Sequence, residues 1–230
     1  MRTFRLASDR GAAHLGWLDT RYTFSFADYQ DPQHIRFRAL RVMNEDRIAP
    51  GTGFGTHPHR DMEILTYVLQ GQLQHRDSLG HGAILGPDEL QRITAGSGLT
   101  HSEFNPDPSR PVHLYQIWLF PREKGLTPSW EQKRLAICPG AWTLAASPDG
   151  AEGSLTIQQD ARLHIGRLSP GDTLTAEIAP GRHAWLQVTR GNVELDGTVL
   201  QAGDGVALSD EAALRLHSAE GGEVLWFDLA

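Results

Sequence analysis

A single cysteine, Cys138, stands among the 230 residues, so no disulfide can close within the chain and a reducing compartment is the simplest setting. No apolar run approaches membrane-spanning length, and the opening MRTFRLASDRG lacks the apolar core of a signal peptide. Both absences point to a soluble, cytoplasmic protein with no membrane partner. Basic residues are in deficit: 21 Lys and Arg face 28 Asp and Glu, a formal charge of -7. That balance argues against a nucleic-acid-binding surface. Low-complexity segments are absent as well, and 40% hydrophobic content suffices for a sizeable core. Cys138 is followed by proline and has no His/Asp pattern beside it, which reads as a packed thiol rather than a nucleophile.

What the chain does have is punctuation. Its 24 glycines and 13 prolines are spread throughout, the pattern of many short strands in an all-β sandwich or barrel. Strands are expected around Phe37–Asn44, Met62–Leu69, Gln72–His75, Leu90–Thr94 and Leu114–Phe120, and Tyr22 to Phe26 reads as a strand with a ring-bearing face. Pro121 to Leu135 is charged and reads as a connector in which WEQKRL starts a short helix. Beyond it, strands are expected at Leu155–Gln159, His164–Leu168, Thr173–Ile178, Ala184–Thr189, Asn192–Leu195 and Leu214–Leu216. Domains follow as residues 1–135, with the linker at 121–135, and residues 136–230.

The halves repeat weakly. LTYVLQG (Leu65 to Gly71) matches WLQVTRG (Trp185 to Gly191) at an offset of 120, and Asp88 to His101 has the length of Asp204 to His217 at an offset of 116. On these offsets His57 falls on Glu177, His59 on Ala179, His101 on His217 and Glu103 on Ala219. The second half therefore reads as a copy that kept its scaffold and lost a site, with His217 and Glu177 as relics.

That site rests on two stretches, GTGFGTHPHRDMEILTYVLQG (Gly51 to Gly71) and ITAGSGLTHSEFN (Ile93 to Asn105). Each carries a pair of candidate ligands that skip one residue, His57 with His59 and His101 with Glu103. Residues two apart share a face of a strand, so two such strands can close three imidazoles and one carboxylate around one divalent transition metal. Glu63 is read as a structural or supporting group. The remaining histidines, His14, His34, His75, His81, His113, His164 and His183, are read as surface or satisfied core residues. Gly96-Ser-Gly98 lacks a phosphate loop's lysine and is a turn.

Gly51, His57, His59, Glu63 and Gly71 resemble the first signature of the cupins, and Gly96, Gly98, His101 and Asn105 resemble the second. Seven residues, not six, separate Glu63 from Gly71, so Ile64 occupies the usual carboxylate position and Glu103 can take over its role. HPHRDMEILTYVLQG, RDSLG, TAGSGLTHSE, HLYQIWLFP and GLTPSWEQKR resemble the pirin family, closest to its bacterial quercetin 2,3-dioxygenases. The resemblance covers most of residues 14–135 and is looser beyond. It implies a bicupin, two tandem jelly-roll barrels with the second degenerate, and metal bound by His57, His59, His101 and Glu103. Iron as Fe(II) is the first choice, while manganese, cobalt, nickel, copper or zinc suit the same donors. It further implies cleavage of a flavonol such as quercetin with dioxygen and release of carbon monoxide, with Glu103 as catalytic base. A regulatory protein whose metal alters a surface for a protein partner is the alternative, and cupins host other small-molecule chemistries besides.

Overall fold

The computed structural model describes residues 1–230. The chain opens on β1 (Arg2–Arg5) and continues through β2 (Gly11–His14), β3 (Leu18–Tyr22), β4 (Leu40–Ile48), β5 (Gly53–His59) and β6 (Glu63–Gln70). Next come β7 (Leu73–Asp77), β8 (Gly82–Leu85), β9 (Glu89–Thr94), β10 (Leu99–Phe104), β11 (Val112–Leu119) and β12 (Ser129–Arg134). The later part holds β13 (Trp142–Ser147), β14 (Leu155–Thr156), β15 (Ala161–Leu168), β16 (Thr173–Glu177), β17 (His183–Leu195) and β18 (Thr198–Gln201), then β19 (Gly205–Ser209), β20 (Ala213–His217) and β21 (Gly222–Leu229). Two compact units result, one of residues 11–135 and 155–159, the other of residues 1–10, 136–154 and 160–230. No helix is long and apolar enough to cross a membrane.

The first unit is a barrel of two antiparallel sheets, ordered β12-β9-β6-β11-β4-β3-β2 and β5-β10-β7-β8. Its interior joins residues of both sheets: Ile48, Val68 and Leu114 pack with Leu73 and Leu85 in one buried cluster. Burial of such side chains, each contributing ~1.5–3 kcal/mol, fixes the inward face of every strand. The second unit repeats the pairings. β15-β21-β17-β19 corresponds to β4-β11-β6-β9, and β16 and β18 with β20 and the end of β17 correspond to β5, β8, β10 and β7. The fold is thus a cupin-type double barrel, and the offset of 116 holds in β9 and β19, which begin at Glu89 and Gly205.

Five local expectations change. WEQKRL is not a helix: Ser129–Arg134 is strand β12, paired with β9 from Ser129↔Thr94 to Arg134↔Glu89, because an unpaired sheet edge outweighs a weak helical preference. Tyr22 ends β3, leaving Phe24 and Phe26 in the following loop, where Phe26 meets Trp118 edge-on at 5.4 Å. Of Leu155–Gln159 only Leu155 and Thr156 are strand, whereas Ala184–Thr189 and Asn192–Leu195 are joined in β17, which passes from one sheet to the other at Gly191. Cys138 is exposed rather than packed.

Two glycines allow close approaches that position the histidine strands. Gly96 turns at φ +48, where a Cβ would lie 1.9 Å from the Leu126 carbonyl oxygen. At Gly53, β5 lies so close to β10 that a Cβ would sit 2.2 Å from the Glu103 carbonyl oxygen and 2.5 Å from Phe104 Cα. Backbone atoms cannot rotate aside, so Gly53→Ala should lower stability by roughly 1–3 kcal/mol. A thermal melt against the parent protein checks this; an unchanged midpoint would show that the strands part without cost.

Candidate metal centre

β5 and β10 run antiparallel with Leu99 opposite His59 and His101 opposite His57, and a bulge between His101 and Glu103 places Glu103 opposite Phe54. Alternation along each strand then turns His57, His59, His101 and Glu103 to one face. Donor nitrogens of the three histidines lie within 4.8 Å of one another, and those of His75 and His101 lie within the same distance of a Glu103 oxygen. His57 and His59 are half-buried, whereas His101 and Glu103 are 2% exposed.

The tautomers follow from the hydrogen bonds. His57 Nδ1 lies 2.8 Å from the Gly55 carbonyl, which can only accept, so the Nδ1 carries the hydrogen and Nε2 is left as a lone pair. At the other end, burial opposes ionisation of Asp77, but hydrogen bonds from the His81 amide and from the side chains of His75 and His81 hold its carboxyl below the usual range. A carboxylate accepts, so His75 Nε2, 3.3 Å away, donates to Asp77. His75 Nδ1 is then an acceptor for His101 Nδ1 at 3.5 Å, and His101 Nε2 becomes a lone pair. It lies 3.1 Å from His57 Nε2.

Two converging lone pairs repel unless a cation joins them. Their separation matches two donors at right angles on one ion at ~2.1 Å each. Burial, with His57 beside it, pushes the His59 imidazole down to about 4. Burial and the neighbouring His59, His57 and His75 push His101 down to about 2. Both imidazoles are therefore neutral near pH 7, the form that ligates metal.

Glu103 differs. Burial, and after it the charge of Asp46, raises its carboxyl to about 8, against the pull of Thr66 and Gln116. Gln116 Nε2 donates to one oxygen and the Thr66 hydroxyl to the other. The group is pre-positioned but held neutral until a cation favours its charge.

Above the cluster lies a cavity of about 290 Å³, at the small end of ligand sites. Tyr22, Phe26, Phe54 and Trp118 are its aromatic walls. Trp118 meets His59 edge-on at 4.9 Å, and Phe54 lies 6.2 Å from His57 between ring centroids. The aromatic run expected of an N-terminal strand thus supplies the rim of the site.

His75 is the residue that sequence reasoning missed. The sequence places it among the surface or satisfied core histidines, and it is a satisfied core residue, fully buried beside His101 and stacked against Trp130 at 6.0 Å, but one that also adjoins the candidate ligands. Only the pairing of β7 with β10, which sets His75 opposite Glu103, reveals it. Glu63 is buried with its carboxylate on the Thr94 hydroxyl at 3.1 Å and the Gln158 amide at 3.0 Å, a structural anchor for the 155–159 segment. His34, His113 and His183 are satisfied by Asp31, Glu45 and Ser209. In the second unit His217 pairs with Thr173 and Glu177 with Ala213 on the same ladder. Four residues of strand hold these relics roughly 13 Å apart, too far to share an ion.

A carboxyl whose folded pKa is raised contributes stability below its unfolded value, and loses that contribution as pH climbs through the folded one. For Glu103 in the metal-free protein the window runs from 4.5 to about 8. Glu103→Gln cannot ionise, so its metal-free unfolding free energy should equal or fall below the parent's at pH 4.5 and exceed it at pH 9, by an amount on the order of a few kcal/mol, with the melting point moving in the same direction. Parallel melting curves across that range would contradict the assignment of a neutral Glu103.

Known proteins share this architecture. A family model described as pirin matches residues 3–119, and one described as the quercetinase C-terminal cupin domain matches residues 144–229. A quercetin 2,3-dioxygenase of Escherichia coli K12 is 47% identical over 98% of this chain and 97% of its own. The crystal structure of the bacterial pirin YhhW from Escherichia coli in complex with nickel(II) superposes with a TM-score of 0.96 at 47% identity, covering 100% of this chain and 99% of that one. A quercetin 2,3-dioxygenase from Acinetobacter baumannii, 19% identical, shares the fold with a TM-score of 0.78 over 100% of this chain and 78% of its own. With the pirin match spanning 3–119 and near-full-length relatives at 47% identity, the chain belongs to the pirin family.

Proposed function

We propose that this protein is a metal-dependent dioxygenase that opens flavonols such as quercetin, with His57, His59, His101 and Glu103 holding one divalent transition metal, iron first among the candidates. The observation that carries the proposal is the convergence of the His57 and His101 Nε2 atoms, 3.1 Å apart, at the floor of an aromatic-walled cavity. The relatives named as quercetin 2,3-dioxygenases and the nickel-bound pirin support it. Held by His57, His59, His101 and Glu103, such an ion would supply Lewis acidity toward a substrate oxygen and redox chemistry with dioxygen.

The chain's own residues do the rest. Tyr22, Phe26, Phe54 and Trp118 hold a planar ring system and keep water from it. Glu103, in its carboxylate form, accepts the proton of the flavonol's enolic hydroxyl, while Gln116 and Thr66 keep its oxygens in place. The overall reaction consumes dioxygen and the flavonol and yields carbon monoxide and a depside ester.

Elemental analysis of the purified protein, with dioxygen uptake and carbon monoxide followed on adding quercetin, tests the proposal. Stoichiometric metal with quercetin-dependent uptake is expected. Absence of uptake in samples loaded with each candidate ion would remove the enzyme reading in favour of a regulatory metal protein.

His101→Ala should lose metal while keeping the β-sheet circular dichroism of the parent, and full occupancy in the variant would remove His101 as a ligand. His75→Phe deletes the acceptor that sets the His101 tautomer. Metal affinity should fall roughly 10- to 100-fold, read by competition with a chelator. An unchanged affinity would mean that His101 is oriented by its own strand.

A further inference from the structure

The turn from Asp77 to His81 joins β7 to β8 and buries one carboxylate, whose two oxygens have different partners. Asp77 Oδ1 accepts the backbone amides of Leu79 and His81, each at 2.9 Å. Oδ2 takes two imidazoles at once, Nε2 of the buried His75 at 3.3 Å and Nδ1 of His81 at 3.0 Å. His81 is the solvent end, with a side chain 39% exposed. Both rings lie nearly parallel to the indole of Trp130, at 12° and 19° with centroids 6.0 and 5.1 Å away. Trp130 is itself pinned, since its Nε1 donates to Gln91 at 2.9 Å.

A backbone amide can only donate, so the Oδ1 place demands an oxygen and Oδ2 is left to face the histidines. A carboxylate there fixes each hydrogen inward of it, first on His75 Nε2 and then on His101 Nδ1 across the 3.5 Å contact. His101 Nε2 is left bare. An amide in the same turn would reverse the sequence, because its oxygen would stay with the two backbone amides and its nitrogen would donate to His75. Hydrogens would then sit on His75 Nδ1 and His101 Nε2, and the latter would point at His57 Nε2, 3.1 Å away, where a cation belongs. His81 draws on the same oxygen. Each donor withdraws electron density from a shared acceptor and so weakens the bond to the other, and the shorter contact is that of His81.

We propose that Asp77 is the positioning residue that sets which nitrogen His101 turns to the metal, and that His81 moderates this from the surface by competing for the Asp77 oxygen. Partners behind a metal-ligating histidine fix its tautomer and raise its basicity. The Asp77–His75 bond therefore strengthens His101 as a donor, and His81 holds metal affinity below what Asp77 and His75 alone would give. The inference rests on reading His57, His59, His101 and Glu103 as a metal centre. It places a control of that centre on a solvent-facing residue that touches none of the four.

Two substitutions in the full chain should act in opposite directions. Asp77→Asn keeps the shape of the turn and its backbone hydrogen bonds, and should lower Co(II) affinity roughly 10- to 100-fold, read by competition with a chelator. His81→Phe keeps a ring on Trp130 but removes the competing hydrogen, and should raise Co(II) affinity roughly two- to tenfold. Nitrogen NMR of the imidazole rings in the metal-free protein reads the hydrogens directly. His75 should carry its hydrogen on Nε2 in the parent and in His81→Phe, and on Nδ1 in Asp77→Asn.

A turn with a merely structural role would weaken binding in both variants or in neither, and would leave the tautomers alone. Affinity in His81→Phe equal to or below the parent's, or unaltered tautomers in Asp77→Asn, overturns the assignment while the metal reading stands. If the parent binds neither Co(II) nor Ni(II), the metal centre falls and this inference with it. If Asp77→Asn fails to fold, His81→Phe decides alone, because its affinity has to rise.

Discussion

The candidate site depends on the contact between β5 and β10. Antiparallel pairing sets His57 opposite His101, and a single bulge carries Glu103 past the rung it would otherwise occupy. A slip of one residue would turn every ligand to the wrong face. Gly53 permits the close approach, since any side chain there would strike the β10 backbone. Phe54 of β5 packs against the apolar cluster of Ile48, Val68, Leu73, Leu85 and Leu114, so the strand that carries His57 and His59 is tied to packing that takes no part in the chemistry.

Polar groups in the barrel form a directional line. Asp77 takes the Nε2 hydrogen of His75, His75 takes the Nδ1 hydrogen of His101, and His101 is left with its lone pair inward. Each group is buried, so each must have its partner. The same burial keeps His59 and His101 neutral and raises Glu103. One barrel interior thus supplies neutral imidazole donors and a carboxyl whose charge appears with a cation.

The second barrel shows what the scaffold does without the ligands. Its strands keep the pairings of the first, yet the register differs from the offset of 120 expected from the sequence: Thr173 faces His217 where His57 faces His101, so Thr173 and Thr175, not Glu177 and Ala179, take the places of His57 and His59, and Glu177 stands at the far end of the β16·β20 ladder from His217. Its interior is filled instead by apolar residues including Leu174, Leu186, Val206 and Trp226. The fold is stable with or without the donor set, which is why its presence in the first barrel signals function.

The sequence by itself determined the all-β class, the two-barrel repeat and the four candidate ligands, because glycine punctuation and period-two spacing are local properties that strand geometry converts directly into a shared face. Tertiary structure decided what depends on neighbours distant in sequence. The strand state of Ser129–Arg134 came from an open edge on β9, and the burial of His75 from the pairing of β7 with β10. Glu63 became an anchor for the 155–159 segment, and the aromatic run after Tyr22 became a cavity rim. In each case the residue types were visible, but the partner that gave them meaning lay some 25 to 95 residues away, beyond the reach of any local pattern.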